Sequence, residues 1–186
     1  GVAATSRLAD TWEWDGTTWL ERQPMTSPPP LSGHSMVWDP GRQRVVAYGA
    51  NELWEWDGST WLQRPLMSGS AGSGELAFDP VGQRLMLVTF NTTWAWSNGW
   101  APVLPETLPA VSWSRLELDP MRQRVMLLAR SRNAGPMVTL EWTGTAWTNR
   151  NPIASPPNFF DFNLAWDAAR SRMLALSGND LWVYLP

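Results

Sequence analysis

One histidine, His34, and the serine beside it, Ser35, are the residues whose types most readily suggest catalysis. A serine nucleophile needs a histidine base and, in many hydrolases, sits in a Gly-x-Ser-x-Gly turn, which this chain lacks. A lone histidine also cannot build a multi-histidine metal site. Cysteine is absent and all 14 basic residues are arginine, which excludes thiolate nucleophiles, cysteine-ligated metals and catalytic lysines. We therefore predict no enzyme activity, no metal site and no cofactor.

Four aspartates recur along the chain, and an arginine follows each of them five positions later. The pairs are Asp39 with Arg44, Asp79 with Arg84, Asp119 with Arg124, and Asp167 with Arg172. Repeated carboxylates could bind calcium, but three of the four precede a proline, which is typical of a tight turn. The preferred interpretation is an aspartate that caps the turn with its side chain and pairs with the arginine.

A tryptophan-rich phrase recurs at a similar interval. TWEWDGTTW occupies residues 11–19, LWEWDGSTW occupies residues 53–61, and weaker copies begin near residues 94, 140 and 182. Counted from the first tryptophan at position 12, the steps are 42, 40, 46 and 42 residues. Fourteen of the 15 tryptophans occupy repeated positions, and Trp113 is the exception. Such a period indicates an architecture in which each repeat is one small supersecondary unit.

Each repeat predicts four short strands, a to d, and no segment has a helical period. Strand a ends at the aspartate turn and strand b begins with the arginine. A hairpin turn joins strand c to strand d, and its strong signals are Asp15-Gly16 and Asp57-Gly58. Units of this kind predict an all-β fold, a β-propeller with four-stranded antiparallel blades of about 42 residues. We expect one domain over residues 1–186 with five blades, four being the alternative. Residues Val2–Thr5 offer a strand b before the first strand c.

The tryptophans of strand c suit the space between two blades. Trp12 and Trp14 lie two positions apart and so share one face of a strand, as do their counterparts in later repeats. Large rings fill the wide gap between neighbouring sheets, so we expect these side chains to form the core between blades. A platform on which a ligand stacks is the alternative.

The order of these elements resembles a known repeat. Ser32 to His34, the Asp-Pro turn, RVVAYGA and LWEWDGSTWLQR together resemble the bacterial kelch-type repeat found in the central propeller of galactose-oxidase-like proteins. The resemblance implies a propeller fold and leaves the activity open. The chain departs from the kelch pattern, because no glycine pair follows strand b in any repeat. The copper chemistry of those oxidases needs a cysteine and histidine ligands, which this chain cannot supply.

Polar residues begin the predicted first strand of four repeats and would line the axial channel of a propeller. They are Ser35, Glu75, Arg115 and Asn163. Because they differ in charge and shape, the channel is expected either to hold water or to open into a ligand-binding mouth. His34 lies beside the first of them. Arg130 and Arg132 occupy the longest predicted loop between strands b and c, ARSRNAGPMVT, and loops at the rim are common binding sites.

These observations favour a non-catalytic binding module that contacts a protein through rim loops or the channel mouth. A carbohydrate-binding propeller is the first alternative, because some lectin propellers carry a similar Trp-x-Trp-Asp-Gly phrase with sites between blades. In that case Glu13, Glu55 and Glu141 would pair with arginines of a neighbouring blade. The second alternative is an engineered or excised piece of a larger propeller, without activity of its own.

The net charge of -3 argues against nucleic acid or an anionic membrane as partner. Unpaired terminal strands would allow self-association, so the ring could be closed by one chain or by several. We prefer five blades closed by one chain. No signal peptide is recognised in the sequence, and an extracellular or periplasmic location is favoured over others.

Overall fold

The computed structural model describes residues 8–66, 74–97, 99–104, 108–132, 137–157 and 162–185. These residues form 17 strands and contain no helix, which confirms the all-β prediction. In this part of the chain no helix is therefore long and apolar enough to cross a membrane. The strand b predicted at Val2–Thr5 lies outside the described residues.

The strands form five antiparallel sheets, or blades, in chain order. Blade 1 contains β1 (Thr11–Trp14) and β2 (Trp19–Arg22). Blade 2 contains β3 (Ser35–Asp39), β4 (Arg44–Gly49), β5 (Glu52–Trp56) and β6 (Trp61–Arg64). Blade 3 contains β7 (Glu75–Asp79), β8 (Arg84–Val88), β9 (Thr93–Trp96) and β10 (Trp100–Pro102). Blade 4 contains β11 (Val111–Asp119), β12 (Arg124–Ser131), β13 (Met137–Trp142) and β14 (Trp147–Asn149). Blade 5 contains β15 (Asn163–Asp167), β16 (Arg172–Ser177) and β17 (Asp180–Tyr184).

The blades pack side by side around their first strands. In blades 2 to 4 each first strand contacts the first strand of the next blade, so β3, β7, β11 and β15 lie innermost. The main core clusters span neighbouring blades: one joins Val46 and Tyr48 to Leu85 and Leu87. This is the β-propeller arrangement that the repeat predicts, with complete four-stranded blades at positions 2 to 4.

The aspartate turns are built as the sequence predicts. Oδ1 of Asp39 accepts hydrogen bonds from the backbone N–H groups of Gly41 and Arg42 at 3.0 and 3.1 Å, and Asp79 and Asp119 repeat the pattern. The paired arginine differs between blades. Arg84 and Arg172 pair with their aspartates as predicted. In blades 2, 4 and 5 the shortest ion pair of the aspartate comes from an arginine only three positions on, such as Arg42. The carboxylates are therefore used by the turn and its arginine.

Except for the half-buried Trp96, the tryptophans of strands c and d in blades 2 to 4 are buried between sheets, which confirms the expected core there. The expectation is wrong for Trp12 and Trp14 of blade 1, which are 48 and 53% exposed. Trp54, Trp56 and Trp61 are 6, 6 and 7% exposed. They face the preceding blade, because Trp61 Nε1 donates to Thr11 Oγ1 at 2.9 Å and Trp56 Nε1 donates to Glu13 Oε1 at 2.7 Å. Each blade thus presents a tryptophan side to the blade before it and the opposite side to the blade after it.

The two end blades do not cover one another. Trp19 of blade 1 is 60% exposed and Leu181 of blade 5 is 58% exposed, although their interior counterparts are buried. The described residues therefore form an open arc of five blades, and the preferred prediction of a ring closed within one chain is wrong for this part of the chain. The apolar side chains at both ends have no further blade to pack against among the described residues.

Candidate functional site

A cavity of about 470 Å³ opens at the inner ends of the first strands. Four blades contribute polar side chains to its wall: His34 from blade 2, Glu75 and Thr89 from blade 3, Ser112 and Arg115 from blade 4, and Asn163 from blade 5. The cavity is therefore the channel mouth expected for a propeller. It brings together four of the residues predicted from the sequence as ligand-binding, namely His34, Glu75, Arg115 and Asn163.

Ser35, the fifth predicted residue, lies behind the cavity wall. Its side chain is buried, and its Oγ accepts a hydrogen bond from the backbone N–H of Leu76 at 2.9 Å. It also hydrogen-bonds the carboxylate of Glu75. Ser35 therefore fastens β3 to β7 and orients Glu75, and it does not line the cavity.

An ion pair crosses the cavity wall between blades 3 and 4. Arg115 Nη1 lies 2.8 Å from Glu75 Oε1 and also donates to the backbone carbonyl of Ser114. Burial raises the pKa of the Glu75 carboxyl; the positive charge of Arg115 and hydrogen bonds from Ser35 and Arg115 oppose that effect without cancelling it. Within the described residues the hydrogen bonds of Arg115 use Nη1, so Nε and Nη2 remain available to an incoming oxygen.

The position of Arg115 departs from the sequence prediction. The first strand of blade 4 begins at Val111 and Arg115 lies inside it, whereas the corresponding strands of blades 2, 3 and 5 begin at the predicted residues. The register between β11 and β12 shifts between Ser112 and Ser114, which marks a β-bulge. The four extra residues extend the inner strand, and Val111, Ser112 and Ser114 join the cavity wall.

The two arginines predicted on a loop have different settings. Arg130 lies within β12, where it is paired with Ser112 and Met137, so the loop prediction is wrong for this residue. Arg132 follows the strand and its guanidinium carbon lies 5.2 Å from the ring centre of Phe90, which lines the cavity. Arg132 therefore lies at the rim of the cavity.

Two aromatic residues of this region were missed by sequence reasoning. Phe90 lines the cavity, and the ring centre of buried Phe162 lies 5.9 Å from the Arg115 guanidinium carbon. Phe90 stands where the kelch pattern has the second glycine of its pair, so the departure from that pattern was the available signal. Phe162 lies just before β15, where His34 and Gly74 precede the first strands of blades 2 and 3. The residue type at this position changes from repeat to repeat, so the sequence offered no signal for an aromatic side chain there.

The glutamates of strand c do not pair with arginines of a neighbouring blade. Glu13 pairs with Arg22 of its own blade at 2.6 Å and also accepts a hydrogen bond from Trp56 of blade 2. Glu55 is 2% exposed and is bound by Arg42 and Arg64 at 2.5 and 2.9 Å. Glu141 is likewise surrounded by Arg122, Arg124 and Arg150. These arginines belong to the same blade as their glutamate, not to the neighbouring blade as expected. The acceptors that would grip sugar hydroxyls are therefore already occupied.

A second, apolar cavity of about 50 Å³ lies between blades 4 and 5, against Met126, Trp182 and Tyr184. It holds little more than one or two water molecules by volume. Among the described residues, no group of three or more histidine, cysteine, aspartate or glutamate side chains has the geometry to hold a metal ion.

Comparison with known proteins identifies the fold and not the family. No protein-family model matches the chain, and no curated protein matches it in sequence. Among solved structures, it is similar to YCF48 bound to a D1 peptide, with a TM-score of 0.57 and 18% identity over 92% of this chain and 54% of that one. It also resembles a mutant of the Aleuria aurantia lectin in complex with Fucα1-6GlcNAc, with a TM-score of 0.49 and 13% identity over 92% and 65% of the two chains. The chain thus spans about half the length of the first structure and under two thirds of the second.

Proposed function

We propose that this propeller is a non-catalytic binding module that takes an extended protein segment at the channel mouth. The observation that carries the proposal is the cavity of about 470 Å³ whose wall contains the Glu75–Arg115 pair. Its volume is within the range of ligand-binding pockets, and its wall offers charges of both signs. YCF48, which has a similar fold, is bound to a D1 peptide in its structure, and this supports the choice of a protein segment as ligand by analogy of fold alone.

A peptide backbone matches the chemistry of this wall. Its carbonyl oxygens can accept hydrogen bonds from Arg115, and its N–H groups can donate to Glu75. Phe90 and Arg132 at the rim add an aromatic face and a positive charge, which are common in protein interfaces. The ion pair is partly exposed, at 36% for the Arg115 side chain and 24% for Glu75, so a ligand can reach it without unfolding the blade.

A lectin-like site between interior blades is less well supported. It requires accessible tryptophan faces and free carboxylates, whereas Trp54, Trp56 and Trp61 are buried and Glu55 is bound by two arginines. A carbohydrate ligand remains one outcome of the experiment below.

Selection from a random peptide library on the immobilised chain, beside a glycan array probed with the same preparation, tests the proposal. We expect peptides to be enriched and the array to stay empty. Binding of the enriched peptides should fall at least tenfold in the variant Arg115→Gln, which keeps a polar side chain but loses the guanidinium. Arg170→Gln is the matched control, because Arg170 makes a comparable ion pair with Asp167 on the exposed turn of blade 5.

Two results would contradict the proposal. One is the absence of any enriched peptide. The other is a peptide that binds Arg115→Gln as tightly as the unaltered chain, since its site would then lie elsewhere. Glycan binding that survives Arg115→Gln would favour the carbohydrate alternative at a different surface.

A further inference from the structure

The interface between blades occurs repeatedly inside the molecule, and each occurrence joins two different surfaces. One is the tryptophan side of a blade, and the other is the side of the preceding blade formed by alternate residues of strands b and c. Between blades 3 and 4, for example, Trp142 and Trp147 pack with Met86 and Val88 in one buried cluster. Trp147 Nε1 donates to Thr93 and Trp142 Nε1 donates to Asp79, at 2.8 and 2.9 Å. The interface is therefore directional, with one surface from each blade.

The first end of the arc presents the tryptophan surface with no described blade against it. This tryptophan face consists of Trp12, Trp14 and Trp19, which are 48, 53 and 60% exposed. The Trp14 and Trp19 rings lie 5.6 Å apart at 49°, close to the 5.4 Å and 41° of the buried pair Trp56 and Trp61. The face already has the geometry that packs elsewhere in the molecule.

The other end presents the complementary surface. This aliphatic face consists of Leu174, Leu176, Leu181 and Val183, which the strand register places on one side of blade 5. Leu176 is 48% exposed, whereas Tyr48, Val88 and Leu128 at the same position of blades 2, 3 and 4 are 1, 0 and 5% exposed. Val183 stands where blades 1, 2 and 4 have an arginine-bound glutamate, so this face lacks a charge that would need such partners.

From these two faces we propose that the chain associates head to tail with a second copy of itself. The tryptophan face of one copy packs onto the aliphatic face of the next, as blade 4 packs onto blade 3. Trp14 would lie over Val183 as Trp56 lies over Glu13, and Trp19 would lie over Leu181 as Trp61 lies over Thr11. The partner is a second copy because the new contact continues the interface between blades. Each molecule has a tryptophan face and an aliphatic face, and neither is covered by a described blade.

The size and apolar character of the two faces favour a second copy of the chain as the partner. Each tryptophan contributes about 150–250 Å² of contact area when covered, and exposed apolar patches beyond a few hundred Å² mark interaction surfaces. Trp100 is buried in one core cluster with Leu53, and its Nε1 has no hydrogen-bond partner among the described residues. A tryptophan at this position of the repeat therefore packs on leucine inside the fold. The inferred contact is heterologous, so it generates a ring if the rotation closes and a filament if it does not.

A complementation experiment with the full chain tests the proposal. Trp19→Arg blocks the tryptophan face, and Leu181→Arg blocks the aliphatic face. Sedimentation velocity should find the unaltered chain in species of at least twice the 20.9 kDa monomer mass, and each variant alone as a monomer. An equimolar mixture should form a 1:1 dimer and nothing larger, because each variant supplies one intact face. Met25→Arg, at a fully exposed position outside both faces, is the control that should assemble like the unaltered chain.

Both blocked positions are exposed, so the variants should keep the thermal unfolding midpoint of an unaltered monomer. A monomeric unaltered chain at about 100 μM would overturn the proposal, since a specific interface of standard size binds more tightly than this. A mixture that stays monomeric, or a variant that still assembles alone, would overturn it as well. Arg115→Gln should leave the assembly unchanged, so failure here and failure of the channel-mouth proposal are separate results.

Discussion

A buried indole N–H needs a hydrogen-bond acceptor, and the blades differ in whether they provide one. Trp61 and Trp147 donate to a threonine of the preceding blade, Thr11 and Thr93, at 2.9 and 2.8 Å. Trp100 occupies the same position in blade 3 and is 1% exposed, but the residue opposite is Leu53. Its Nε1 is buried with no hydrogen-bond partner in the described part of the chain. One residue change between repeats thus decides whether a core donor is satisfied.

Thr93→Val should measure the value of this hydrogen bond. Valine has nearly the shape of threonine, so the variant removes this acceptor from the buried Trp147 N–H, at a cost of about 1–3 kcal/mol. Thr11→Val is the matched control, because its bond to Trp61 is only partly buried and should matter less. Free energies of urea unfolding provide the comparison. Equal losses in both variants would contradict the assignment.

Glu75 makes the stability of the channel mouth depend on pH. Burial raises the pKa of its carboxyl above the ordinary value of 4.5 in the folded state, so the folded chain binds this proton more tightly than the unfolded chain does. Its contribution to stability is therefore complete below the unfolded pKa and is lost as the pH rises through the folded pKa.

Glu75→Gln isolates this contribution because glutamine does not ionise. The stability of the unaltered chain minus that of the variant should decrease from about pH 4 to about pH 7. Urea unfolding across that range measures it. A difference that grows with pH would show that the ion pair with Arg115 outweighs desolvation, and that the pKa is lowered.

At the scale of the strands, one buried polar network occurs in blades 2 and 4, and all three of its residues are replaced in blade 3. In blade 2 the network consists of Glu55 in strand c, Arg64 after the start of strand d, and Arg42 in the aspartate turn. Blade 4 repeats it with Glu141, Arg150 and Arg122. Blade 3 has Ala95, Val103 and Gly82 at the same three positions. A buried carboxylate without its arginines destabilises the fold, and arginines at these positions without the carboxylate destabilise it as well. The three residues therefore change together.

A double-mutant cycle on blade 2 tests this coupling. Glu55→Ala should destabilise the chain by about 1–3 kcal/mol, because two partly exposed arginines lose their shared carboxylate while Arg42 keeps its ion pair with Asp39. Glu55→Ala/Arg64→Val introduces the blade 3 residues at two positions. We expect the double variant to lose less stability than the sum of the two single variants, by at least about 1 kcal/mol. Strictly additive losses in urea unfolding would show that the network is not coupled.

Strand positions were predictable where the repeat is regular and not where it is interrupted. The aspartate turn locates strands a and b of blades 2 and 3, and the Asp-Gly hairpin locates strands c and d of blade 2, because both turns have strong local chemistry. The strands of blade 4 cannot be predicted in this way. Its bulge near Ser112 and its longer β12, which includes Arg130, depend on pairing between β11 and β12 that no local signal encodes.

At the scale of the whole molecule, the period alone predicts the propeller, because sheets of this size can bury both faces only against their neighbours. It also predicts that Glu75 and Arg115 approach one another, since the first strands converge on the axis. The period cannot predict the ends of the arc. Trp19 and Leu181 lie in sequences that resemble those of the buried blades. Their exposure becomes visible only in the folded chain, where no described blade covers them.

Binding at the channel mouth is tested most directly by mapping an enriched peptide on the isotope-labelled chain by amide chemical-shift perturbation. We expect shifts that saturate together at the start of β7 and in the first half of β11, around Glu75, Ser112 and Arg115. Shifts confined to the hairpins of strands c and d, with β7 and β11 unchanged, would place the peptide elsewhere and contradict the proposed function.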